Sequence, residues 1–152
     1  MKKMIIALIC GAMALSFAAC GSKNYTASEY SDSEVNDKVQ MYIPQKTVTD
    51  ETDEFTVVLE NTTDQDYNYD AGQRLEVWKN SKWCVVEDKI NFTTTQLFTL
   101  PAGGSDELTF NVADHYGTLS EGRYRVVQVL SDREANTTIA AAEFGIGRVN
   151  TK

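Results

Sequence analysis

The sequence predicts an all-β domain, a sandwich of about seven or eight short antiparallel strands. Three observations lead there. From Val39 onward, apolar residues alternate with polar ones in short runs, the period of a half-buried strand. Asn, Asp, Ser, Gly and Pro separate those runs, and these residues favour turns. Beyond the first 19 residues, no stretch carries the 3.6-residue period of an amphipathic helix.

Val39-Gln40-Met41-Tyr42-Ile43 is the first short strand, closed by Pro44. Glu54 to Glu60 places Phe55, Val57 and Leu59 on one face. Asn61 to Asp64 ends it with turn-forming side chains. Gln73 to Lys79 sets Leu75 and Val77 against Arg74, Glu76 and Trp78. Asn80-Ser81 turns the chain back into Lys82 to Glu87, a hairpin signature. Residues 88–104 are irregular, with Pro101-Ala102-Gly103-Gly104 as a turn. Glu107 to Val112 alternates through Leu108, Phe110 and Val112. Asp114 to Leu119 reads as a loop or single helical turn. Arg123 to Leu130 and Thr137 to Phe144 are the last strands. Gly122 is expected at a positive φ before its strand, and Tyr124 is placed to close a corner with its hydroxyl. Arg125 points away from Tyr124, and Trp83 and Tyr124 are expected in the core.

The N-terminus carries a different message. Lys2 and Lys3 precede an uncharged apolar stretch, Met4 to Ala19. A basic start followed by a stretch of this length has the form of an export signal, and it is short for a membrane span. It ends in Ser16-Phe17-Ala18-Ala19-Cys20-Gly21-Ser22, which resembles the bacterial lipobox, with Phe17 where that motif usually has Leu. The small residues before Cys20 let a peptidase seat the backbone, and the Cys20 thiol takes the lipid. Residues 1–19 are thus expected to be a removed signal peptide. Residues 20–37, small, polar and acidic, are expected to form a lipidated cysteine with a flexible linker. Residues 38–148 are the sandwich. Each buried acyl CH₂ contributes about 0.8 kcal/mol, so several chains on one cysteine anchor the protein durably. The domain is expected to work outside the cytoplasm, at the bacterial cell envelope.

Processing would leave 12 basic and 22 acidic residues, since Lys2 and Lys3 leave with the signal, for a net charge of −10. Such a domain repels phosphate backbones, which excludes nucleic acid as a partner. Cys10 leaves with the signal and Cys20 is acylated, so the sandwich is expected to hold without a covalent staple, with Cys84 as a small buried hydrophobe.

Few residues invite chemistry. His115 is the single histidine, with Asp114 beside it, and no serine sits in a nucleophile elbow. Carboxylates are many, yet none stands out as a catalytic pair. Asp64-x-Asp66-x-Asn68-x-Asp70 resembles the front of a calcium loop, but Tyr69 and Leu75 stand where Gly and Glu are needed. It reads as a solvated acidic loop, as does the cluster of Asp50, Glu51, Asp53 and Glu54. No catalytic residue, metal or cofactor is expected. The Asn-x-Thr sequons at Asn24, Asn61, Asn91 and Asn136 are read as turn residues. Tyr67 and Tyr69 flank a polar loop and are expected to be exposed, the candidate contacts for a sugar.

The string from Phe55 to Asp64, then Leu75-Glu76-Val77-Trp78, Lys82-Trp83, Leu100-Pro101-Ala102-Gly103 and His115 to Arg125, resembles a bacterial immunoglobulin-like domain family. The resemblance spans about residues 38–146, and its most specific piece is Tyr-x-x-Leu-x-x-Gly-x-Tyr-Arg at 116–125. It implies an exported, often lipid-anchored module, and it brings no catalytic residues. The expected function is a membrane-anchored interaction module whose ligand is unspecified. The partners expected are the membrane, through Cys20, and another envelope protein or a wall glycan. A carbohydrate- or cell-wall-binding module using loop aromatics is the alternative.

Overall fold

Ten strands arranged in two sheets make up the computed structural model, which describes residues 25–35, 38–90 and 95–147. The expected signal peptide, Cys20, Asn24 and Asn91 lie outside the described residues. The smaller sheet has the order β2 (Val39–Tyr42), β3 (Glu54–Asn61), β8 (Ser105–Asn111). The larger sheet is built around β9 (Gly122–Ser131). One edge of β9 pairs with β5 (Arg74–Lys79) along its first half and with β4 (Tyr67–Asp70) near its end; the other edge pairs with β10 (Thr137–Ile146). Beyond β5 lie β6 (Lys82–Val85) and the two-residue β1 (Thr26–Ala27); beyond β4 lies β7 (Leu97–Leu100). All these strand pairs are antiparallel. A single helical turn, α1 (Val112–His115), follows β8, capped by the Asn111 side chain on the Asp114 N–H.

The alternation read from the sequence becomes the core. Phe55, Val57 and Leu59 of β3 face Leu75 and Val77 of β5, Cys84 of β6 and Tyr124, Val126 and Leu130 of β9, all buried. Phe55 lies 5.3 Å from Phe110 and 5.2 Å from Phe144, ring centre to ring centre, and Phe144 stacks on Tyr124. Such aromatic pairs contribute about 0.5–1.5 kcal/mol beyond their area. The β5–β6 hairpin turns through Asn80 and Ser81, both at positive φ, which matches the twist of the flanking strands. Asn61 is buried and organises the next turn: its amide donates to the carbonyls of Gln65 and Pro101, and its Oδ1 accepts from the Thr63 N–H and hydroxyl.

Several expectations are corrected. Tyr67 and Tyr69 are not on an exposed loop. They are inward residues of β4 and among the most buried in the protein. Asp66, Asn68 and Asp70, partly exposed, alternate with them. Asn68 and Asp70 are therefore the outer side of a strand, while Asp64 and Asp66 lie in the turn that leads into it. Gly122 does not have a positive φ; its role is room, since a Cβ there would meet the Tyr124 ring at 3.2 Å. Cys84 is fully buried, as expected. Trp83 is buried, but on the outer side of β6, opposite Cys84 and the inter-sheet core. Finally, residues 25–35 are not a loose linker.

Candidate interaction face

Strand alternation sends Leu75 and Val77 inward and leaves Arg74, Glu76 and Trp78 on the outer face of β5. The same rule puts Arg123 and Arg125 on the outer face of β9, and Trp83 on that of β6. Register brings them together: Glu76 is paired with Arg125, and Trp78 with Trp83. One side of the large sheet therefore carries a ladder of cations, carboxylates and indoles.

Glu76 and Arg125 are 0 % and 1 % exposed. The Arg125 Nε donates to Glu76 Oε2 at 2.7 Å, and Arg125 Nη2 lies 2.7 Å from the same oxygen. The other oxygen, Oε1, takes Arg74 Nη2 at 2.8 Å and the Ser28 hydroxyl at 2.6 Å. Arg125 also sits over the Trp83 ring, 4.4 Å from its centre. Arg123 lies about 5 Å from both indole rings and grips Glu143 through two bonds of 2.8 Å. Burying an ion pair is costly unless every donor and acceptor is used. Here the remaining partners come from residues 28–32.

Those residues belong to a strap, Tyr25 to Val35, that crosses the face. Its start pairs as β1 with the β6 edge, and the Ser28 N–H donates to the Trp83 carbonyl. The Tyr30 carbonyl accepts from Arg125 Nη2 at 2.7 Å. One oxygen of Asp32 accepts from the Trp83 indole at 2.6 Å and from Arg125 Nη1 at 3.1 Å. Arg74 donates to Glu29 and lies over the Tyr30 ring. The strap ends at Val35, which bridges to Ile139 of β10. Burial raises the Tyr30 pKa, with Glu29 adding to the effect. The Ser31 N–H and hydroxyl hold the Glu34 carboxyl below its ordinary value. Between the strap and the β5–β6 hairpin runs a groove of about 320 Å³, lined by Tyr30, Asp32, Trp78, Lys82 and Trp83 among others.

The other singled-out residues are occupied elsewhere. Tyr69 donates to Asp106 of β8 at 2.6 Å, a bond between the two sheets; burial, then that carboxylate, raise its pKa strongly. The Tyr67 hydroxyl accepts from Gln65. In the calcium-like string, Asp66 accepts from the Ala102 N–H and from Arg133, and both keep its carboxyl low. Asn68 accepts from Thr99, and Asp70 from the Gly72 N–H. His115 pairs with Asp88 at 2.9 Å rather than with its neighbour Asp114, which caps toward Asn111. The sequence reading missed the Arg125–Glu76 pair and the strap. The only local trace of the pair was the outward phase of Arg74, Glu76 and Arg125, three charged residues on strands whose other face is core.

Two sheets, a filled core and, at the start of β9, a Tyr124 hydroxyl that donates back to the Ser120 carbonyl define an immunoglobulin-like sandwich. Residues 35–144 match the family described as "Bacterial Ig-like domain", and the chain belongs to that family. Among solved structures, it is similar to the periplasmic chaperone SfaE, at 12 % identity and a TM-score of 0.42, over 70 % of this chain and 52 % of that one. The chain thus spans about half the length of that structure. No protein with a curated description matches it.

Proposed function

We propose that the chain is an exported lipoprotein, held in the bacterial cell envelope by lipid on Cys20, whose Ig-like domain is a non-catalytic interaction module. The anchor rests on the basic start, the apolar stretch and the Ser16-to-Ser22 motif. The module reading rests on one observation above all: an outer sheet face with a buried Arg–Glu pair, two indoles packed edge to face and a segment laid across it. The partner is another envelope protein rather than a wall glycan. The glycan reading depended on Tyr67 and Tyr69, and their burial takes both rings out of solvent. A net charge of −10 after processing disfavours nucleic acid. With the strap docked, five residue steps separate Cys20 from Tyr25, at most about 18 Å of extended chain. The module then works close to the lipid surface.

Mass spectrometry of the membrane fraction tests the anchor. An acylated N-terminal Cys20 is expected, and Cys20→Ser should release the protein from the membrane. An unmodified Cys20 in membrane-bound protein refutes it.

A further inference from the structure

The strap is an addition to the sandwich rather than a part of it. The family match begins at Val35, where the strap ends. No residue from Tyr25 to Val35 is fully buried, and its one ladder is two residues long. Apart from Tyr25, which packs against the core, its hold is polar: Ser28 on Glu76, the Tyr30 carbonyl on Arg125, Asp32 on Arg125 and Trp83. Segments held by few apolar contacts and many polar ones open at the low end of a protein's local stabilities. The face beneath is the opposite case. Arg125, Glu76 and Trp83 are fixed by strand register and by each other.

Charge matches across the contact. Residues 25–35 carry Glu29, Asp32 and Glu34 and no cation. The face offers Arg74, Arg123 and Arg125 against Glu76 and Glu143. The contacts are also periodic. Ser28, Tyr30 and Asp32 each touch the face, through a hydroxyl, a main-chain carbonyl and a carboxylate, while Thr26 and Ala27 add a strand to the β6 edge. Strand addition with alternate side chains read by pockets is a recognised mode of peptide capture.

We propose that the outer face of β5, β6 and β9 is a docking surface for an extended acidic peptide segment of a protein partner, and that residues 25–35 are its built-in occupant, displaced when the partner binds. The partner segment carries a hydroxyl and, four residues on, a carboxylate, and it pairs with β6. Displacement frees residues 25–35 to lengthen the leash on Cys20, so partner binding and distance from the membrane are coupled. The docking surface deepens the interaction-module reading; the coupling also needs the lipid anchor, which the Cys20 experiment tests separately.

The test uses the full chain in detergent and a fluorescent peptide with the sequence of residues 25–35. Ser28→Ala with Asp32→Ala loosens the strap and leaves the face intact. This variant should bind the peptide at least tenfold more tightly than the unaltered chain, and a peptide lacking the Asp32 carboxylate should bind neither. A folded variant that binds no better than the unaltered chain overturns the proposal. Hydrogen exchange on the unaltered chain gives a second reading if the variant does not fold. The Ser28 amide, bonded to the Trp83 carbonyl, should exchange at least a hundredfold faster than amides in the middle of β9. Exchange of both at one common rate would make the strap part of the cooperative fold and overturn the proposal.

Discussion

The Tyr124 hydroxyl donates to the Ser120 carbonyl at 2.8 Å, four residues upstream, and so ties the start of β9 to the chain that leads into it. The ring itself is buried and stacks on Phe144. The two contributions separate by substitution. Tyr124→Phe keeps the ring and loses one hydrogen bond, which costs about 0.5–1.5 kcal/mol. Tyr124→Ala also leaves a cavity, and the cost rises to about 3–5 kcal/mol. Urea denaturation of the two variants should give that order, with a clear gap. Equal losses would mean that the corner bond, and not the ring, holds this end of the sandwich.

Tyr67 and Tyr69 should behave as core residues. Tyr67→Ala should lower stability by about 3–5 kcal/mol, as for other buried aromatics. Tyr69→Phe keeps the packing but removes the bond to Asp106 that joins β4 to β8, at a cost of about 1 kcal/mol. Thermal melts would check both. A Tyr67→Ala protein with an unchanged midpoint would contradict the burial.

Why the sequence concealed these tyrosines is instructive. In β3 and β5, apolar residues alternate with polar ones, and Phe55, Val57, Leu59, Leu75 and Val77 are all core. Tyr67 and Tyr69 obey the same period of two. Their neighbours Asp66, Asn68 and Asp70 are poor strand formers, so composition pointed to a loop while periodicity pointed to a strand. Periodicity was the better guide. The strap had no such signal. Its residues are small and acidic, and Asp32 meets Arg125 from 93 positions away. A contact that depends on the register of two other strands leaves no local pattern. Gly122 lies between these cases: its importance was readable, but its cause is the approach of the Tyr124 ring rather than its own backbone angle.

The Arg125–Glu76 pair makes an asymmetric prediction. Glu76→Ala strands a buried guanidinium, at a cost of about 3–5 kcal/mol. Replacing both partners together, with Arg125→Met and Glu76→Leu, removes the two charges at once and should recover most of that loss. Denaturation of the single and double variants forms the check. A double variant as unstable as Glu76→Ala would assign the cost to lost packing under the strap instead of to an uncompensated charge.

Alkaline pH should open the sandwich through its buried tyrosines. Burial is the main cause that pushes Tyr116 and Tyr124 from 10.0 up to about 12. Tyr69 rises as well, from burial and from the Asp106 carboxylate that its hydroxyl donates to. A raised pKa means that the folded state holds its phenolic protons more tightly than the unfolded one. Their contribution is therefore complete below pH 10. It declines as pH climbs from about 10 toward 12, where the unfolded chain ionises first. Tyrosinate absorbance near 295 nm, read beside circular dichroism, should show the buried rings ionising only as the β signal is lost. Tyr116→Phe with Tyr124→Phe should shrink that coupled step. Complete tyrosine ionisation near pH 10 with the β signal intact would show these hydroxyls to be open to solvent, against their packing on Phe110 and Phe144.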